Sequence, residues 1–194
     1  MMNWSSKINE LDKCLRNLSV SQGDASNLPV DDAFGTWIDM AIRIREQKNT
    51  IILIGNGASA SMASHVAADL AKNGHLHTEV FSDLSLITAI ANDLSYDEVF
   101  AEPLRRRMKA GDMLVAISSS GQSVNVLKAV EEARKLNGVV VTLSAMKSDN
   151  SLTSKGDLNF YVPAATYGLA ETSHAAILHH WIDKIIERNS WQNL

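Results

Sequence analysis

Two short segments and one pair of side chains carry residue types suited to chemistry. The first segment, Gly55-Asn56-Gly57-Ala58-Ser59-Ala60, fits the pattern G-x-G-x-x-A. It follows an aliphatic run and opens a helical pattern, a setting in which backbone N–H groups at a helix start can face an anion. The second, Ser118-Ser119-Ser120-Gly121-Gln122-Ser123, has the same setting and adds hydroxyls. With the first free N–H groups of the helix, these can surround a phosphate. Neither segment holds the lysine of a P-loop, which argues against nucleoside triphosphate hydrolysis. The pair is His65 and Asp69. At i and i+4 they share one helix face, so an imidazole and a carboxylate can converge on one ion.

Each feature also has a plainer reading. Either loop alone is as well explained by a strand-to-helix turn whose serine caps the helix, and a lone histidine by a capping or core position. The first loop admits a dinucleotide too, because Asp83 falls at the end of the next strand, where a nicotinamide enzyme holds its ribose. The serine-rich loop has no role in that fold. Two such loops in one small sheet favour a phosphorylated ligand.

Loops of this kind need parallel strands, since ligands of such sheets bind beyond the carboxyl ends of the strands. From Thr50 the sequence alternates short β-branched runs with helical stretches. Strands are predicted near Thr50 to Ile54, Thr78 to Phe81, Met113 to Ile117, Val139 to Leu143 and Leu158 to Val162. Helices are predicted over Ala58 to Lys72, Ser85 to Asn92, Ser123 to Asn137 and about Leu169 to Glu187, with a short one near Asn150 and Pro103 in the first turn of another. Ahead of this core, Ile8, Leu11, Leu15 and Leu18 make a narrow apolar stripe that predicts a helix in search of a partner helix. Ser19 to Pro29 reads as a polar linker, and Phe34, Trp37, Ile38, Ala41 and Ile42 mark a second helix. The four tryptophans, Trp4, Trp37, Trp181 and Trp191, read as helix-packing residues, and Arg105, Arg106 and Arg107 as an exposed helix face.

The chain has 194 residues and a formal net charge of -4. That length suits one domain, and that charge opposes direct nucleic-acid binding. The single cysteine, Cys14, has no internal disulfide partner. No charged-then-apolar leader and no apolar run of about 20 residues is present, so the expectation is a soluble, cytoplasmic protein with no membrane contact.

The two loops, His65 eight residues past Gly57, Asp69, and the run Thr88-Ala89-Ile90-Ala91-Asn92-Asp93 together closely resemble bacterial phosphoheptose isomerases of the sugar isomerase (SIS) fold. The resemblance covers nearly the whole chain. It implies an α/β, flavodoxin-like three-layer sandwich with a five-stranded parallel sheet and extra N-terminal helices. Residues 1–194 would then be one SIS domain, with 1–48 forming helices for oligomer packing and 49–194 the α/β core. It also implies interconversion of sedoheptulose 7-phosphate and D-glycero-D-manno-heptose 7-phosphate, a homotetramer with sites at subunit contacts, and a bound divalent metal, zinc in the family. Ser118, Ser119, Ser120 and Ser123 would cradle the phosphate, while Asn56, Gly57, Ser59 and Asp93 would contact the sugar.

By the same resemblance, His65, Asp69, Glu171 and His179 would surround the metal, with Asp69 the base at one carbon and His179 the acid and base at the other. The chain departs from the family at several of these places. Asp69 stands for a glutamate, Glu171 for a glutamine, Thr172 for a glutamate, Asn73 for an arginine and Gly168 for an aspartate. His174 falls where the family has another histidine. Eight helical residues span about 12 Å, which strains a shared ion between Glu171 and His179. A non-catalytic SIS protein that binds a sugar phosphate or a replication initiator is the alternative, and it would need no such histidine pair.

Overall fold

The computed structural model describes residues 3–23 and 26–188. Trp191 lies outside the described residues. In chain order the elements are α1 (Trp4–Arg16), β1 (Ser19–Gln22), β2 (Asn27–Leu28), α2 (Val30–Glu46), β3 (Thr50–Gly55), α3 (Ala58–Gly74), β4 (His77–Val80), α4 (Leu84–Asp93), α5 (Ala101–Arg107), β5 (Met113–Ser118), α6 (Val124–Lys135), β6 (Val139–Ala145), β7 (Leu158–Val162) and α7 (Tyr167–Arg188). Short 3-10 turns at Tyr96–Glu98 and Ser151–Ser154 complete the order.

The five parallel strands expected from the sequence are present, in spatial order β7-β6-β5-β3-β4. The sheet is larger than expected. Residues predicted as a linker form β1 and β2, and β1 adds antiparallel to β7 through Ser19↔Tyr161 to Gln22↔Leu158, giving a seven-stranded mixed sheet. The sequence signal was weak for a physical reason: only Val20 of these two strands is buried, and a two-residue strand has no periodicity to read.

Alternation of side chains builds the two cores. Ile51, Leu53, Met113, Val115 and Ile117 point to one face, packed with residues of α2, α3 and α7. Ile52, Ile54, Leu114 and Ala116 point to the other, packed with α4, α5 and α6. Strands buried on both faces carry continuous aliphatic runs, as these do. Trp37 of α2 stacks on Trp181 of α7 with centroids 4.0 Å apart and planes 10° apart, and Phe160 of β7 completes that cluster. Trp4, by contrast, is 77 % exposed and packs no core. The α1 stripe is divided: Leu11 and Leu18 pack against the main core and Cys14 is buried, while Ile8 stays exposed.

The three arginines of α5 face solvent as expected, and each is paired. Arg105 meets Glu98, Glu102 and Glu132, Arg106 meets Glu102, and Arg107 meets Glu79 while lying over the Phe81 ring. Hydrogen bonds, from Lys128 to Glu98 and from Arg106 to Glu102 foremost, hold both carboxyls below their ordinary range.

Candidate active site

The serine loop leaves the carboxyl end of β5 and enters α6. Ser118 and Ser119 are buried, the Ser118 and Ser123 hydroxyls lie 3.2 Å apart, and the Gly121 and Gln122 N–H groups donate to Ser118 Oγ and Ser120 Oγ. Ser123 occupies the N-cap of α6, yet its side chain makes no capping bond. Without that cap the first turn of α6 is suited to an anion, although its Val126 N–H already donates to Asn125 Oδ1.

Buried groups outside the predicted cradle hold this loop from behind. Gly121 has φ +62, and a Cβ there would collide with the Asn150 amide. Asn150 is buried, donates to Ala145 O and Lys147 O, and accepts from Leu152 N. Ala145 N in turn donates to Ser119 O at 3.1 Å. One residue earlier, Ser144 O meets His174 Nε2 at 3.2 Å. A carbonyl only accepts, so Nε2 carries a proton, and Nδ1 is buried with no partner to receive a second one. Burial agrees, pushing the His174 pKa down to about 4.

The first loop leaves β3, turns at Gly57 (φ +57) and opens α3. Only glycine adopts that conformation without strain. The two loops and the start of α7 enclose a cavity of about 170 Å³ lined by Asn56, Ser59, Ile117, Ser118, Ser119, Ser120, Ser123, Tyr167 and Glu171. Thus Asn56, Ser59 and all four serines of the predicted cradle come together. Gly57 sits behind them as the N-cap of α3. Asp93 does not line this cavity; it ends α4, exposed, accepting from Asn92 Nδ2. Asp83, the ribose candidate, caps α4 through Leu86 N, so its carboxylate has a structural use.

His65, Asp69 and His179 form a second group, with one ligand atom from each lying within 4.8 Å of the others. His65 Nε2 is 3.2 Å from Asp69 Oδ2, and the two imidazoles pack edge-on at 5.5 Å. Two imidazoles and a carboxylate fit a divalent ion that keeps a position open, a ligand set typical of reactive rather than purely structural metal sites. Glu171 is not in this group. The helix spacing explains why: α7 begins at Tyr167, so Glu171 stands in its second turn and faces the cavity, about 12 Å along the axis from His179. His180 takes a different direction, its ring against Phe34.

A sheet whose parallel strands β3 and β5 lead into loops at helix N-termini, with helices on both faces, is an α/β architecture of the SIS type. The chain belongs to the SIS domain family, whose description matches residues 31–145. Within it the likeness is to phosphoheptose isomerases. That of Colwellia psychrerythraea is 37% identical over 139 residues, 68% of this chain and 71% of the relative. The structure of phosphoheptose isomerase GmhA from Neisseria gonorrhoeae superposes with a TM-score of 0.80 at 26% identity, over 94% of each chain. One from Francisella tularensis gives 0.80 at 25%, over 96% of this chain and 100% of the other.

Proposed function

We propose that the chain is a phosphoheptose isomerase, converting sedoheptulose 7-phosphate to D-glycero-D-manno-heptose 7-phosphate. The observation that carries this reading is the pairing of a hydroxyl-rich cavity suited to a phosphate with a separate histidine–aspartate group, in a chain whose relatives bear that name. The initiator-binding alternative has no use for the second group.

In this reading the phosphate sits against Ser118, Ser119, Ser120, Ser123 and the start of α6, while Ser59, Asn56 and Glu171 meet sugar hydroxyls. The reacting carbons lie toward His65, Asp69 and His179. Ketose-to-aldose conversion moves one proton from C1 to C2 and one between the two oxygens through an enediol. Asp69 takes the proton from C1 as the C2 oxygen is protonated. His179 then delivers a proton to C2 while the C1 hydroxyl loses its own, leaving the aldehyde. His65, Asp69 and His179 would hold a divalent ion, zinc in this proposal, which would supply Lewis-acid stabilisation of the charge that develops on those oxygens. Glu171 is assigned to the sugar rather than to that ion.

The proposal extends to a single domain, a cytoplasmic setting and a homotetramer. Among the described residues no helix is long and apolar enough to cross a membrane, and Trp4 and Ile8 leave α1 with an apolar edge for a second copy. Sedimentation is expected to give a tetramer at micromolar concentration; a stable monomer removes that part. The function itself is tested by turnover of C5 to C7 ketose phosphates with and without chelator, beside Asp69→Asn. The seven-carbon substrate should be preferred, chelation should stop turnover, and Asp69→Asn should lower kcat by about a hundredfold or more. Full activity in metal-free protein would refute the metal-assisted route.

A further inference from the structure

Asn125 is the second residue of α6 and is buried, 3 % exposed. Its Nδ2 donates to Asn56 Oδ1 at 3.0 Å, and Asn56 Nδ2 donates back to Asn125 Oδ1 at 2.9 Å. Two more bonds close the set. Val126 N donates to Asn125 Oδ1 at 3.0 Å, and the Tyr96 hydroxyl donates to Asn56 Oδ1 at 3.1 Å. The amide orientations follow from the first of these, because a backbone N–H can only donate and so must face Oδ1. Asn125 Nδ2 is then left for Asn56 Oδ1.

An asparagine inside the first turns of a helix is a poor helix former, and a buried amide costs free energy unless fully bonded. A pair of apolar residues could fill the same place at nearly equal stability. What the amide pair adds is direction. It ties the turn of the first loop to the helix that leaves the serine loop, and through Tyr96 it also holds the segment that follows Asp93. We infer that Asn125 is a positioning residue of the isomerase site, an amide clasp that sets the first loop, the serine loop and the 94–98 segment in mutual register.

The mechanism needs that register because the phosphate is held on one loop while Ser59 and the helix bearing His65 and Asp69 hang from the other. Asn56, expected to touch the sugar, has its side-chain oxygen and one amide hydrogen committed to the clasp, so its role is in part to carry this link. Tyr96 reinforces it from a segment otherwise anchored by the Glu98 ion pairs to Lys128 and Arg105.

The inference deepens the isomerase reading, and its kinetic arm rests on it. Amide hydrogen exchange does not, and it is measured on Asn125→Ala and Tyr96→Phe in the full chain. The amides of Ser59, Ala60 and Glu98, which donate to Asn56 O, Gly57 O and Ser95 O, should exchange about tenfold faster in Asn125→Ala, while those of β5 stay unchanged. Tyr96→Phe, which deletes only an exposed hydroxyl, should accelerate Glu98 alone. With sedoheptulose 7-phosphate, Asn125→Ala should lose about tenfold or more in kcat with little change in KM, since the serine loop still holds the phosphate. Unchanged exchange at Ser59 and Glu98, uniform acceleration that includes β5, or selective loosening with kcat intact would each overturn the clasp. If wild-type protein does not turn over the heptose phosphate, the isomerase reading fails while the exchange pattern still decides whether the loops are linked.

Discussion

The serine loop at the end of β5 is braced by buried groups on several sides: Asn150 against Gly121, Ala145 N on Ser119 O, and His174 on the neighbouring Ser144 carbonyl. The His65, Asp69 and His179 group is built otherwise, from side chains on two helix faces, with His65 62 % exposed and one 3.2 Å contact inside the group. Under the proposed function, the difference matches what each end of a sugar phosphate does during isomerisation. A phosphate keeps its charge and shape from substrate to product, so a stiff neutral cradle serves it throughout. The reacting carbons change geometry and exchange protons, and the groups that serve them need access to a metal and freedom to gain and lose protons.

That contrast can be broken most directly by a double dissociation. Ser120→Asp puts a like charge into the cradle and should weaken sugar-phosphate binding about a hundredfold or more, leaving metal content unaltered. Chelation should do the reverse, stopping turnover while phosphate binding persists. Calorimetry with inorganic phosphate and metal analysis on both samples decide it, and unchanged ligand affinity in Ser120→Asp removes the loop from the site.

Glu171 sharpens the comparison because it is the one carboxylate among the groups lining the cavity. Glu171→Gln should tighten inorganic phosphate binding about fivefold by removing a like charge, with metal content unchanged. A fall in metal content would instead return Glu171 to the ion.

The smallest effect tests the stiffness of the cradle. His174 has its folded pKa pushed down to about 4 from the ordinary 6.5, so between those values the unfolded chain binds a proton that the folded one refuses. Its contribution is complete above about pH 6.5 and is lost as pH falls toward 4, at about 1.4 kcal/mol per pH unit. Thermal melts from pH 7 to 4.5 should show that slope, and His174→Gln should flatten it. Equal slopes would mean the ring is not held neutral.

Much of this molecule was legible before any coordinates. The parallel strands announced themselves because burial on both faces forces aliphatic runs, as in Ile51 to Ile54 and Met113 to Ile117, and the two loops because glycine and serine follow those runs directly. The pairing of His65 with Asp69 came from helix spacing alone. His179 entered only through resemblance, since no local pattern marks it. What escaped had no periodic signature: β1 is defined by its partner β7, Asn125 and Asn150 look like ordinary polar positions until burial is known, and resemblance places His174 but gives it no role. A faint mark existed at Asn125, which sits between Val124 and Val126 where an apolar residue would be unremarkable.

The pairing of Arg105, Arg106 and Arg107 with glutamates also shapes how a ligand reaches this protein. Their field is cancelled within a few ångströms, the cavity lining has no cationic side chain, and the whole chain is negative. A dianion therefore arrives by unassisted diffusion and is recognised only on contact, through dipoles whose reach is shorter than the Debye length of about 8 Å in physiological salt. Speed of capture is given up, and added salt should raise the rate of encounter rather than lower it, by screening the like charges of ligand and protein.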